Sequence, residues 1–138
     1  MTATYPLPLD GPGLGSPLGL YSNAYVAPPG HRLMAIAGQL SVDAAGRSVR
    51  GTFEEQFARV MDNMAAVLTA AGADLRAVMK FTTYLVDPAT VEPFYEIRTR
   101  LWPRHFPEGY YPPNTLLVVQ ALTRPEFLIE IEALAAIP

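Results

Sequence analysis

The stretch that decides how this chain folds is Phe127-Leu128-Ile129-Glu130-Ile131-Glu132-Ala133-Leu134-Ala135. Apolar and acidic residues alternate through its middle, the period of a strand with two different faces. Leu128, Glu130 and Glu132 share one face. Neighbouring carboxylates on that face stand about 7 Å apart. Such a pair can act on one water or on a proton in transit. A solvent-facing pair of no chemical consequence has the same pattern.

Working back from this strand, Thr123–Glu126 reads as a turn and Thr115–Leu122 as another strand. The latter carries Leu116 and Val118 on one side and Leu117 and Val119 on the other. A sheet covered on a single face does not need two apolar sides. Further back, Val78–Val86 is rich in threonine, tyrosine and valine and reads as a strand. Leu33–Gly38 is a short buried strand, and a shorter one is expected near Ala24–Ala27. Two helices separate these pieces. Thr52 and Glu55 form a capping box. Phe53, Phe57, Val60, Met61, Met64, Val67, Leu68 and Ala71 then lay one apolar stripe, stopped by Gly72 as a C-cap. Asp87-Pro88 opens the second helix, with Val91, Phe94, Tyr95, Leu101 and Trp102 as its buried face and Pro103 as its end. The expected class is α+β, with two helices on one face of a mixed sheet. The second face calls for another subunit, because no helix is left to cover it. Residues 1–18 read as an extended Pro/Gly-rich arm and 19–138 as the folded domain.

Composition narrows the function. The chain has 138 residues, half of them apolar, and a net charge of −3. Its nine arginines and one lysine, Lys80, are scattered. Nucleic acid is not an expected partner, because phosphate binding needs a concentrated basic surface. There is no cysteine, so thiol chemistry and disulfides are excluded. His31 and His105 have no ligand-like spacing, so no metal is expected. No apolar run approaches the roughly 20 residues that cross a bilayer. The start lacks the basic and apolar regions of a secretory signal. Cytoplasmic residence and no membrane partner are the resulting expectations.

Five segments, in order, resemble the Rid (reactive intermediate deaminase, YjgF-like) family. Gly19-Leu20-Tyr21-Ser22-Asn23-Ala24 is similar to its N-terminal "GPYSQA" element, and Ala37-Gly38-Gln39 to its "SGQ" strand end. Glu55 to Ala73 resembles its first helix, Val78 to Tyr84 its next strand, and Ile129-Glu130-Ile131-Glu132-Ala133 its closing "IEIEA". The similarity covers residues 19 to 136. It implies a chorismate-mutase-like fold of the bacillus type. It also implies a homotrimer whose sheets close a central barrel, with small-molecule clefts between subunits and no cofactor. A neighbouring subunit would cover the second sheet face.

The resemblance also implies site residues. Glu130 matches the glutamate that positions the hydrolytic water, Tyr21 the cleft tyrosine, and Gly38 the backbone contact to substrate. A packed aromatic anchoring the arm, and a plain turn glycine, are the competing readings of Tyr21 and Gly38. One position departs from the family. Where it reads "FPARS", this chain reads Tyr111-Pro112-Pro113-Asn114-Thr115. Asn114 stands in place of the arginine that binds the substrate carboxylate, and a neutral amide cannot make a bidentate charged clamp. Arg104, His105 and Arg32 are the cations weighed as substitutes. Phe106, Tyr110, Tyr111 and Leu116, stiffened by prolines, fit an apolar ligand wall or a subunit contact equally well. Lys80 is read as structural. The expected function is an enzyme, an imine or enamine deaminase or a related hydrolase or lyase of altered substrate preference. A non-catalytic metabolite-binding or regulatory trimer is the alternative. The family's ribonuclease association finds no support in the acidic charge balance.

Overall fold

The computed structural model describes residues 4–138. Strands β1 (Leu7–Pro8) and β2 (Tyr25–Val26) form a small antiparallel ribbon. The main sheet contains β3 (Arg32–Gln39), β4 (Val78–Leu85), β5 (Asn114–Val118) and β6 (Ile129–Ile137), in the order β3-β6-β4-β5. β6 is antiparallel to both neighbours, and β4 and β5 are parallel, so the sheet is mixed. Helices α1 (Phe53–Ala70) and α2 (Val91–His105) lie on one face. The α+β class and the two-helix layer are as the sequence implies.

The capping box forms. The Glu55 N–H donates to the Thr52 hydroxyl at 3.2 Å, and the Thr52 N–H donates to the Glu55 carboxylate at 2.8 Å. Ala71 is the C-cap, with Gly72 just beyond it at φ +73°. Phe57, Val60, Met61, Met64 and Leu68 are buried as the stripe requires. So is Gln56, whose amide donates to the Glu126 carbonyl and accepts from the Leu128 N–H. That side chain ties α1 to the turn leading into β6.

Several boundaries differ from the sequence reading; β6 runs Ile129–Ile137 where the sequence reading has a strand over Phe127–Ala135. Pro88–Thr90 is a 3-10 turn, and α2 starts at Val91. Pro103 does not end α2, which runs to His105. Proline forfeits the bond its own nitrogen would donate to the Thr99 carbonyl, and its ring crowds that carbonyl. Both residues are exposed there, where water can serve that carbonyl, and the Phe106 N–H still closes the last turn on Trp102 at 2.8 Å. β5 stops at Val118 instead of Leu122, because its partner β4 ends at Leu85, whose carbonyl accepts from Val119. Beyond it the chain peels away. The buried face of α2 also differs. Tyr95 is exposed, while Ile97 and Arg98 are buried with Phe94 and Trp102.

The sheet's two faces are unlike. Ile129, Ile131, Ala133, Phe81, Thr83 and Leu85 point under the helices and are buried. The opposite face carries Tyr84, Glu130, Glu132, Leu117, Leu134 and Leu33, the last of them 75% exposed. The arm is pinned by Tyr5, whose hydroxyl donates to Asp74 and whose ring lies 4.2 Å from the Arg76 guanidinium. Among the described residues no helix is long and apolar enough to cross a membrane.

Candidate functional site

The open face of the sheet holds the acidic residues. Tyr84 on β4 faces Glu130 on β6 directly, and Thr82 faces Glu132. The Tyr84 phenol donates a short hydrogen bond to Glu132. That bond raises the phenol above its ordinary pKa, with burial and the charges of Glu132 and Glu130 acting the same way. Glu132 is thereby held in place. The Glu130 carboxyl has no hydrogen-bond partner among the described residues. Burial, and then the neighbouring Glu132, push its carboxyl above the usual range. A carboxyl whose pKa is raised by burial is a stronger base once ionised.

Gly38 closes the site from the other strand. Ile36 pairs with Ala133 but Gln39 with Ile131, so β3 spends one extra residue across this interval. The resulting bulge brings the Gly38 backbone against the Glu130 side chain. A Cβ at position 38 would sit 2.7 Å from the Glu130 carboxyl carbon. Gly38, Tyr84, Glu130 and Glu132 line one cavity of about 530 Å³, walled by the segment from Val119 to Thr123 where β5 has left the sheet.

Within the chain the remaining expected residues lie elsewhere. Asn114 faces the helix side, paired with Phe81, and its amide oxygen accepts from the Thr83 hydroxyl at 2.8 Å. Leu116 and Tyr111 pack against the core, Tyr111 with its ring 6.2 Å from Phe106. Arg104 lines a shallow cleft with Asp74, Arg76 and His105. Tyr21 accepts a hydrogen bond from Leu18 and lines a separate cavity against α2. The chain by itself thus joins Glu130 with Gly38 and leaves Asn114, Leu116, Tyr111, Arg104 and Tyr21 apart from them. Two residues of interest were not singled out in the sequence. Tyr84 is visible only through its register with Glu130, and Arg98 looks like any helix arginine until it is placed.

A family model described as Endoribonuclease L-PSP matches residues 15–137. A solved protein of unknown function from the Rid family of Yersinia pestis superimposes with a TM-score of 0.80 at 30% identity, covering 96% of this chain and 99% of that one. The chain belongs to the Rid family. A RutC family protein of Pyrococcus horikoshii is 35% identical over 120 residues, 86% of this Rid chain and 88% of its own length. The 2-iminobutanoate/2-iminopropanoate deaminase of Homo sapiens is 32% identical over 91 residues, 65% of this chain and 64% of its own. Related Rid proteins therefore include imine deaminases, and others are described as putative endoribonucleases.

Proposed function

We propose that this Rid protein is a deaminase-like hydrolase or lyase acting on a small imine, enamine or related electrophile. The observation that carries the reading is Glu130, an unpartnered, half-buried carboxyl of raised pKa set against the Gly38 backbone beside a fixed second carboxylate. For imine hydrolysis, Glu130 takes a proton from water as the oxygen adds to the C=N carbon. It returns that proton to the nitrogen to give a carbinolamine, then takes the carbinolamine hydroxyl proton and passes it to the amine, so that ammonia leaves as the C–N bond breaks and the carbonyl forms. The Gly38 backbone would orient the reacting group.

The reading includes a homotrimer. Leu33, Leu117 and Leu134 are exposed on one sheet face, an apolar surface that packing against neighbouring sheets would bury. A trimer would also bring Tyr21, Asn114, Leu116, Tyr111 and Arg104 toward clefts shared between subunits. Asn114 is the reason to expect a substrate other than a simple 2-imino acid. It also favours the second reading, a trimer that holds a metabolite without turnover.

The test is ammonia and carbonyl release from enzymatically generated 2-imino acids and from a broader imine and enamine panel, with Glu130→Gln beside the native protein. The expected result is slow turnover of 2-imino acids, faster turnover of a substrate lacking the carboxylate, and a loss of about 100-fold or more in the variant. No turnover of any substrate, with ligand binding intact in Glu130→Gln, would establish the binding reading.

A further inference from the structure

Arg98 sits in the middle of α2 and is only 3% exposed. A guanidinium stays charged at any physiological pH. Taking it out of water costs several kcal/mol unless an anion faces it. Here none does. Among the described residues no carboxylate lies within ion-pair distance of Arg98, and its Nε–H has no acceptor. What surrounds it is aromatic. Its central carbon lies 5.1 Å from the Tyr95 ring centre, 5.4 Å from Phe94 and 6.0 Å from Tyr21. Ring faces offset part of the desolvation cost but do not accept the Nε–H in line.

The cation also shapes the chain above it. A Cβ on Gly19 would stand 2.9 Å from Arg98 Nη2, so the N-terminal segment crosses the guanidinium where only glycine fits without displacement. Between that segment and α2 lies a cavity of about 420 Å³. Leu18, Leu20, Tyr21 and Tyr95 make its walls largely apolar, and Arg98 is its single charged group. This cavity shares no residue with the one around Glu130.

We infer that the Leu18–Tyr21/α2 cavity is a binding site for a small organic carboxylate, its anion received by Arg98 and its apolar body by Tyr21, Tyr95 and the flanking leucines. One cation among apolar walls suits a monoanion with a flat or hydrophobic body. It does not suit phosphate, whose recognition calls for several donors and cations at once. Burial, which works against the charged guanidinium, points the same way, since a bound anion relieves it. The inference rests on no role of Glu130, although it shares Tyr21 with the cleft of the proposed function.

Benzoate is the probe, benzamide its uncharged counterpart, and calorimetric titration the measurement. Benzoate is expected to bind the native protein saturably, at least tenfold more tightly than benzamide. Arg98→Met keeps the apolar stem and removes the charge, and it should weaken benzoate at least tenfold. Glu130→Gln should bind benzoate as the native protein does, which separates this site from the catalytic reading. Equal affinity for benzoate and benzamide, or benzoate binding unchanged in Arg98→Met, would overturn the inference. Should Arg98→Met fail to fold, crystals of the native protein soaked with 4-iodobenzoate decide. Iodine density between Tyr21 and Tyr95 supports the site. Density elsewhere, or an Arg98 paired with a carboxylate of another subunit, refutes it.

Discussion

Glu130 on β6 lies against the Gly38 backbone on β3, closely enough that no side chain fits at position 38 unless the carboxyl moves. The contact exists because β3 bulges where it passes Ile131 and Ala133. It links the two residues that the Rid resemblance assigns to the site and that the chain by itself brings together.

Gly38→Ala is therefore a clean perturbation. Gly38 is not at positive φ, so alanine meets no backbone penalty. The clash falls on a flexible side chain that can swing aside. Chemical denaturation should show a loss of no more than about 1 kcal/mol. Turnover of whichever imine or enamine proves to be the best substrate should fall about tenfold or more, because Glu130 no longer holds its position.

Glu130 should also mark the pH dependence of stability. Its carboxyl is raised in the folded state by burial first and by Glu132 second. A raised carboxyl favours the protonated fold. Its stabilising contribution is complete below the unfolded value of about 4.3 and is lost as pH rises through the folded pKa. Glu130→Gln removes that loss. Thermal melts should place the variant above the native protein at pH 8, with the difference closing as pH falls below about 4.3. A native protein that melts higher than the variant at pH 8 would contradict the assigned shift.

Gln56 is as deeply buried as any polar residue described, together with Ser41 and Thr83. Its amide serves both the Glu126 carbonyl, at 2.8 Å, and the Leu128 N–H, at 2.9 Å. Gln56→Leu keeps the bulk and strands two backbone groups. Each unsatisfied buried group costs about 1–3 kcal/mol. The expected loss in urea denaturation is about 2–4 kcal/mol.

Asn114→Arg tests what the departure from the family pattern does. The Thr83 hydroxyl would lose its acceptor, a cost of about 1 kcal/mol in stability. In steady-state assays the arginine should lower KM for 2-imino acids at least tenfold while leaving uncharged imines unaffected, since a charged bidentate clamp acts only on the carboxylate. An unchanged KM would show that position 114 does not face the substrate.

By itself the sequence determined the two helices, the strands of the main sheet and their partition into layers. Thr52, Glu55 and Gly72 delimit α1 through local hydrogen bonds and backbone preference, which act within a few residues and so are written in order. The alternation around Glu130 and Glu132 placed both on one face for the same reason. Five ordered segments carry the resemblance to the Rid family. Only tertiary structure decided the rest. Where β5 leaves the sheet depends on where β4 stops, and Pro103 stays helical because the turn it occupies is exposed. Tyr84 becomes the partner of Glu132 through pairing register, which no window of sequence contains. Arg98 is the clearest instance. In sequence it is one of several arginines on an amphipathic helix, and only the packing of Gly19 and Tyr21 over α2 strips its water and leaves the charge unmatched. Burial is a property of distant neighbours, so the electrostatics that follow from it are too.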